Sequence, residues 1–138
     1  VIERSVRLRC PRARAFQLFT ERAGDWWPGE LRHTDDQRSE ITMLAEGRFF
    51  ERADDGAEVE LGRVTTWEPP DRIDLDFYPG TDSDHPTLVS VRFSDEGDGT
   101  VVHVTHRPGP ASVALWNDRV ATYDRSWSKV LAAVEDRA

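Results

Sequence analysis

The stretch "ASVALWNDRVATYDRSWSKVLAAVEDR" (residues 111–137) decides the fold. It contains neither Gly nor Pro. Its apolar positions Val113, Trp116, Val120, Tyr123, Trp127, Val130 or Leu131, and Val134 step by three or four, the period of one helical face. The spacing predicts one amphipathic helix of about 25 residues, about 38 Å long at ~1.5 Å per residue. A helix with a single apolar stripe needs an apolar surface to lie on. The residues before it supply that surface.

Upstream of the break at Gly109-Pro110 the period changes to two, the mark of half-buried strands. "TVVHVTH" (100–106) and "TLVSVRF" (87–93) flank a turn at 94–99, with Val89, Val91 and Phe93 on the inward face. "RIDLDFY" (72–78) puts Ile73, Leu75 and Phe77 on one face and Asp74 and Asp76 on the other. "EPPDR" (68–72) is a turn, because two prolines cannot sit in a central strand. "EVELGRVTTW" (58–67) slips in parity: Val59, Leu61 and Trp67 agree and Val64 does not, which a bulge near Gly62 explains. "GRFFER" (47–52) and "SEITML" (39–44) complete the run, with a hairpin signal at Asp55-Gly56.

The chain opens with another alternating stretch, "VIERSVRLRC" (1–10), in which Arg4 breaks the apolar parity of Ile2, Val6 and Leu8. "PRARAFQLFTER" (11–22) reads as a helix that Gly24 ends. Residues 25–37, holding the pair Trp26-Trp27, are a loop or a short second helix. Adjacent side chains rarely face the same way, so one tryptophan is expected inward, and Trp27 is expected to be the more buried. Hairpin-length links between the strands imply an antiparallel sheet with one covered face. The fold class is α+β: about seven strands, one or two short helices after the first strand, and the long C-terminal helix across the sheet.

Length and composition fit one domain, 1–138, large enough to bury ~65–70% of its unfolded surface. A net charge of −8 argues against nucleic acid and anionic membranes as partners, since both need a basic footprint. The lone Cys10 forms no internal disulfide, so the cytoplasm is the expected compartment. No apolar run approaches the ~18 residues of a membrane span.

Chemistry-bearing residues are few. His103 and His106 sit three apart on a strand, hence on opposite faces, and cannot share a metal ion. His106 is the inward one. His33 and His85 lie in loops without a partner at ligand spacing, and no metal or cofactor is expected. Asp74 and Asp76 belong to the solvated face. Glu51 or Arg52 points inward, and parity does not decide which. No phosphate-binding glycine loop and no nucleophile elbow occurs.

Four stretches then carry a family resemblance: "CPRARAFQLFTERAGDWWP" (10–28), "GRVTTWEPPDRIDLDF" (62–77), "VSVRFSDEGDGTVVHVTH" (89–106) and "YDRSWSKVLAAV" (123–134). In order and spacing the chain resembles the START-like, or SRPBCC, superfamily. Within it, the chain is similar to homologues of the activator of the heat-shock-protein-90 ATPase. The resemblance implies a helix-grip fold, a curved sheet around the long helix with a cavity between. It also implies the lining. Trp26 and Trp27 would come from the opening segment, Phe49, Trp67, Phe77, Val91 and His106 from the sheet, and Trp116, Tyr123 and Trp127 from the helix. An enclosed apolar cavity of roughly 300 Å³ or more, lined by Trp67, Phe77, Trp116 and Tyr123, is expected.

The leading expectation is binding of a small, largely apolar molecule without covalent catalysis. The alternatives are co-chaperone action on a chaperone ATPase and a polyketide cyclase or hydrolase using His106, Glu51 or Arg52. Residue types alone leave the choice between binder and enzyme open, and a second copy of the chain stays open as a partner.

Overall fold

A computed structural model describes residues 1–138. The opening alternation forms β1 (Ile2–Leu8). Arg4 breaks the pattern because it faces the C-terminal helix and donates both Nε and Nη2 to Asp124, at 2.9 and 2.8 Å. The first helix, α1 (Arg12–Phe19), buries Ala15, Phe16, Leu18 and Phe19. It is shorter than the expected 11–22. The Thr20 hydroxyl turns back to the Phe16 carbonyl at 2.7 Å and Arg22 N–H reaches the Gln17 carbonyl, which tightens and ends the helix before Gly24. Gly24 instead lies within a short 3₁₀ turn, Ala23–Asp25. A second one, Gly29–Leu31, follows the tryptophan pair.

The strands then run β2 (Glu40–Met43), β3 (Arg48–Arg52), β4 (Glu58–Glu68), β5 (Arg72–Phe77), β6 (Thr87–Glu96) and β7 (Gly99–Pro108). They form one antiparallel sheet in the order β1-β7-β6-β5-β4-β3-β2. The two edge strands are neighbours in sequence, so residues 9–39 must cross from one edge to the other. That crossing carries α1 and both tryptophans over one end of the sheet. The β6–β7 hairpin is longer than expected. Glu96 pairs with Gly99 around a two-residue turn at Gly97-Asp98, and backbone pairing does not depend on apolar side chains there.

The parity slip in β4 has two causes. Phe49 pairs with Gly62 but Phe50 with Glu60, which leaves Leu61 extra. Val64 pairs with Leu75 but Thr66 with Asp74, which leaves Thr65 extra. The first bulge moves Val64 to the inner face, and the second restores the original parity for Trp67. Between them the backbone closes tightly: a Cβ on Gly62 would lie 2.0 Å from the Asp76 carbonyl oxygen and 3.0 Å from the Phe49 ring.

The long helix is α2 (Val113–Arg137). Trp116, Tyr123, Trp127, Val130, Leu131 and Val134 are its buried stripe. Val113, expected in that stripe, is 62% exposed on the first turn. The structure is thus an α+β helix-grip fold, a curled seven-stranded antiparallel sheet around a long C-terminal helix. No helix is long and apolar enough to cross a membrane.

Candidate functional site

The concave face of the sheet is not filled evenly. α2 lies nearest β1, and α1 packs against β6 and β7. Between α2 and the opposite half of the sheet a cavity of about 290 Å³ remains. Phe49 of β3, Leu61 of β4 and Phe77 of β5 form its floor. Tyr123, Trp127 and Val130 of α2 form its roof. Trp27 and Leu31 close one side, and Pro79 and Gly80 of the β5–β6 loop the other. The first bulge contributes directly, because it turns Leu61 and Gly62 inward together. Phe49 and Phe77 lie near-parallel, 6.3 Å apart at 29°, and Trp127 is tilted 34° to Phe77 at 5.9 Å. The result is an aromatic slot with a few polar groups at its mouth, the usual make-up of a small-molecule site.

Of the residues expected in the lining, the structure brings together Trp27, Phe49, Phe77, Tyr123 and Trp127. The other five lie outside it. Trp26 turns behind its neighbour, donates its indole N–H to the Leu18 carbonyl at 2.7 Å and packs on Phe19. Trp67 lies beyond the second bulge, edge-on to Phe16 at 5.2 Å, at the α1 end of the core. Val91 is wholly buried on β6, a strand that does not reach the cavity. Trp116 packs near the start of α2 against His106 and Tyr123. His106 sits behind the wall formed by Phe77 and Trp127.

The tryptophan pair also corrects the expectation about orientation. Trp26 and Trp27 are equally buried, 8% exposed each. The chain at Trp26 is neither strand nor regular helix, so strand parity does not apply, and the two rings pack on each other at 5.5 Å.

The polar residues named from sequence have structural duties. Trp127 Nε1 donates to His106 Nδ1 at 2.9 Å. Because an indole N–H only donates, Nδ1 accepts and the ring proton sits on Nε2. Nε2 then donates to Thr87 Oγ1 at 2.7 Å, and that hydroxyl donates to the Phe77 carbonyl at 3.0 Å. The chain of bonds ties two cavity residues, Trp127 and Phe77, to one another. Burial, with a smaller contribution from the chain's terminal ammonium, pushes the imidazole pKa down to about 3, so His106 is neutral.

Glu51 is the inward residue of β3, and Arg52 points outward to Glu58. Burial alone would raise the Glu51 carboxyl. Hydrogen bonds from the His33 and Thr34 amides at 2.8 Å and from the Ser39 hydroxyl at 3.0 Å outweigh burial and hold it below the usual value. Glu51 therefore pins the segment that carries Leu31, Arg32 and His33 against the cavity. Arg32 braces the same segment, with bonds to the carbonyls of Gly24, Trp27 and Ser39.

Two straps cross the mouth. Lys129 of α2 pairs with Glu30 at 3.2 Å. Arg119 Nε donates to the Gly80 carbonyl at 2.7 Å, and the Tyr123 hydroxyl donates to the Pro79 carbonyl at 2.7 Å. Gly80 has φ +81, and a Cβ there would meet the Tyr123 hydroxyl at 2.8 Å, so this close approach needs glycine. Arg119, Ser126 and Val130 share the lining stripe of α2 with Tyr123 and Trp127. Their helical spacing from the aromatic residues was the available signal. A reading that follows aromatic side chains passes over them and assigns Val130 to the core.

Residues 9–134 match the family described as Activator of Hsp90 ATPase homolog 1-like protein. The chain belongs to that family. Solved structures agree on the family's fold. CalC from Micromonospora echinospora, a self-sacrificing resistance protein, is 24% identical with a TM-score of 0.76, over 99% of this chain and 92% of its own. The Aha1 dimer from Colwellia psychrerythraea is 17% identical with a TM-score of 0.67, over 98% and 92%. Likenesses at this level speak for the fold alone. Txn09, an anthrahydroquino-γ-pyrone synthase solved in complex with SUM, is 27% identical with a TM-score of 0.62, over 98% and 94%. No curated protein matches the chain.

Proposed function

We propose that the chain binds a small, planar, largely aromatic molecule in the slot between α2 and β3–β5, without a covalent step. The observation that carries this reading is the cavity of about 290 Å³ walled by Phe49, Phe77, Tyr123, Trp127 and Trp27. Aromatic faces favour flat π systems, and burying apolar ligand surface contributes about 25 cal/mol per Å². The likeness to Txn09 supports a planar ring system as ligand, since its name contains an anthrahydroquinone, and the word synthase in that name favours the enzymatic alternative equally.

The rival readings need different equipment. A cyclase needs an uncommitted acid or base facing the substrate. Of the residues named for this role from sequence, His106 has both ring nitrogens bonded away from the cavity, Glu51 holds a backbone segment, and Arg52 is on the outer face. The enzymatic reading would therefore rest on His33, which lines the cavity with no hydrogen bond on its ring. Co-chaperone action, which the family's name brings forward, needs an exposed docking patch and leaves the slot without a role.

The test is equilibrium binding of an uncharged aromatic fluorophore, N-phenylnaphthylamine, followed by its emission. Wild type is expected to bind it, and Ser126→Trp, which fills the slot from the helix, is expected to weaken binding at least tenfold while keeping the fold. Equal binding by both proteins would place the ligand elsewhere.

A further inference from the structure

The lining holds three formally charged residues: Glu30, Arg32 and Arg119. Two are compensated. Glu30 is paired with Lys129. Arg32 lies in the field of the Glu51 and Asp36 carboxylates, and its Nη1 and Nη2 both bond the 24–39 segment, which leaves only its buried Nε without a partner. Arg119 differs from Arg32 in having both terminal nitrogens free. It makes no ion pair, although the chain carries 26 acidic residues against 18 basic ones. Its Nε is fixed on the Gly80 carbonyl, which holds the guanidinium at the rim with Nη1 and Nη2 uncommitted. About two turns further along the same stripe, Ser126 lines the cavity with a hydroxyl that also forms no hydrogen bond. The unsatisfied groups on α2 thus face the slot about 10 Å apart along the helix, with Arg119 at its end. They comprise one fixed positive charge and one hydroxyl.

We infer that the ligand is an amphipathic anion. Its aromatic body fills the slot, and an acidic substituent such as a carboxylate, sulfonate or phenolate points out to Arg119. The inference rests on the proposed binding site and names the ligand class for it. A guanidinium anchored through Nε presents its two remaining nitrogens as a fork, the geometry that suits a carboxylate or sulfonate. Its charge also attracts an anion to the mouth of a protein that otherwise repels one. Neutral aromatic molecules of the same size gain the apolar contacts alone.

The experiment compares two probes with the same ring system, anionic anilinonaphthalene sulfonate and uncharged N-phenylnaphthylamine, on wild type, Arg119→Gln and Arg119→Lys. The expected result is that the ratio of the two dissociation constants shifts about fivefold against the sulfonate in R119Q, the scale of one partly exposed ion pair. In R119K the ratio stays near wild type. Added salt erodes the sulfonate's advantage in wild type and R119K and not in R119Q. An unchanged ratio in R119Q, or equal weakening of both probes, overturns the inference and leaves the binding site standing. Failure of the uncharged probe to bind wild type removes the site itself and the inference with it, whereas binding of the uncharged probe alone overturns the inference and leaves the site.

Discussion

Trp127 has one hydrogen-bond donor, and it is aimed at His106 rather than into the slot. That choice fixes the histidine's tautomer, while burial sets its neutrality and its pH signature. With a pKa near 3 when folded and the ordinary value near 6.5 when unfolded, the unfolded chain binds the extra proton first. The stabilisation is complete above about pH 6.5 and declines as pH falls from there toward 3. Between pH 6.5 and 5 the loss amounts to about 2 kcal/mol. His106→Gln keeps one acceptor and one donor in the same place and does not titrate. Its thermal or urea stability is therefore expected to lack this decline, measured side by side with wild type from pH 7 to 5. A variant that loses stability in step with wild type would show that another group titrates. Glu51 acts in the same direction at lower pH, because its depressed carboxyl also favours the folded chain until it is protonated.

At the scale of elements, β4 shapes the site more than any helix does. Its two bulges bend the strand, deliver Leu61 to the floor and return Trp67 to the α1 side. Gly62 sits between them with no room for a methyl group against the Asp76 carbonyl. Gly62→Ala is expected to cost about 2–3 kcal/mol, seen as a lower urea midpoint with an unchanged slope. An unshifted midpoint would mean that the strand relaxes freely there. The elements themselves were legible in the sequence because each has a clean period: three to four in α2, two in the strands. The first bulge was legible from the odd parity of Val64. The second was not, because two bulges cancel and leave Trp67 in apparent register with Val59. The end of α1 was misplaced because a hydroxyl folding back on its own helix leaves no mark as visible as glycine.

At the scale of the molecule, the unequal filling of the sheet decides where anything can bind. Periodicity reports which face a residue takes, and it does so correctly for Phe77, Tyr123 and Trp127. It does not report which half of that face is packed solid. Val91, Trp116 and His106 face inward as their parity requires, yet they meet protein rather than space. That depends on the curl of the sheet and on where α1 lands, both set by contacts distant in sequence. The same limit hid Arg119, a polar residue whose position at the rim follows only from the closed loop at Gly80.

The central claim is that ligands enter this slot and no other part of the core. The indole N–H region of a proton–nitrogen NMR spectrum reads it directly, since the five tryptophans are spread over the molecule. Titration with N-phenylnaphthylamine is expected to shift the signals of Trp27 and Trp127, which line the slot, and to leave Trp26 and Trp67 in place. Shifts centred on Trp26 or Trp67, or no shift at any indole, would contradict the account.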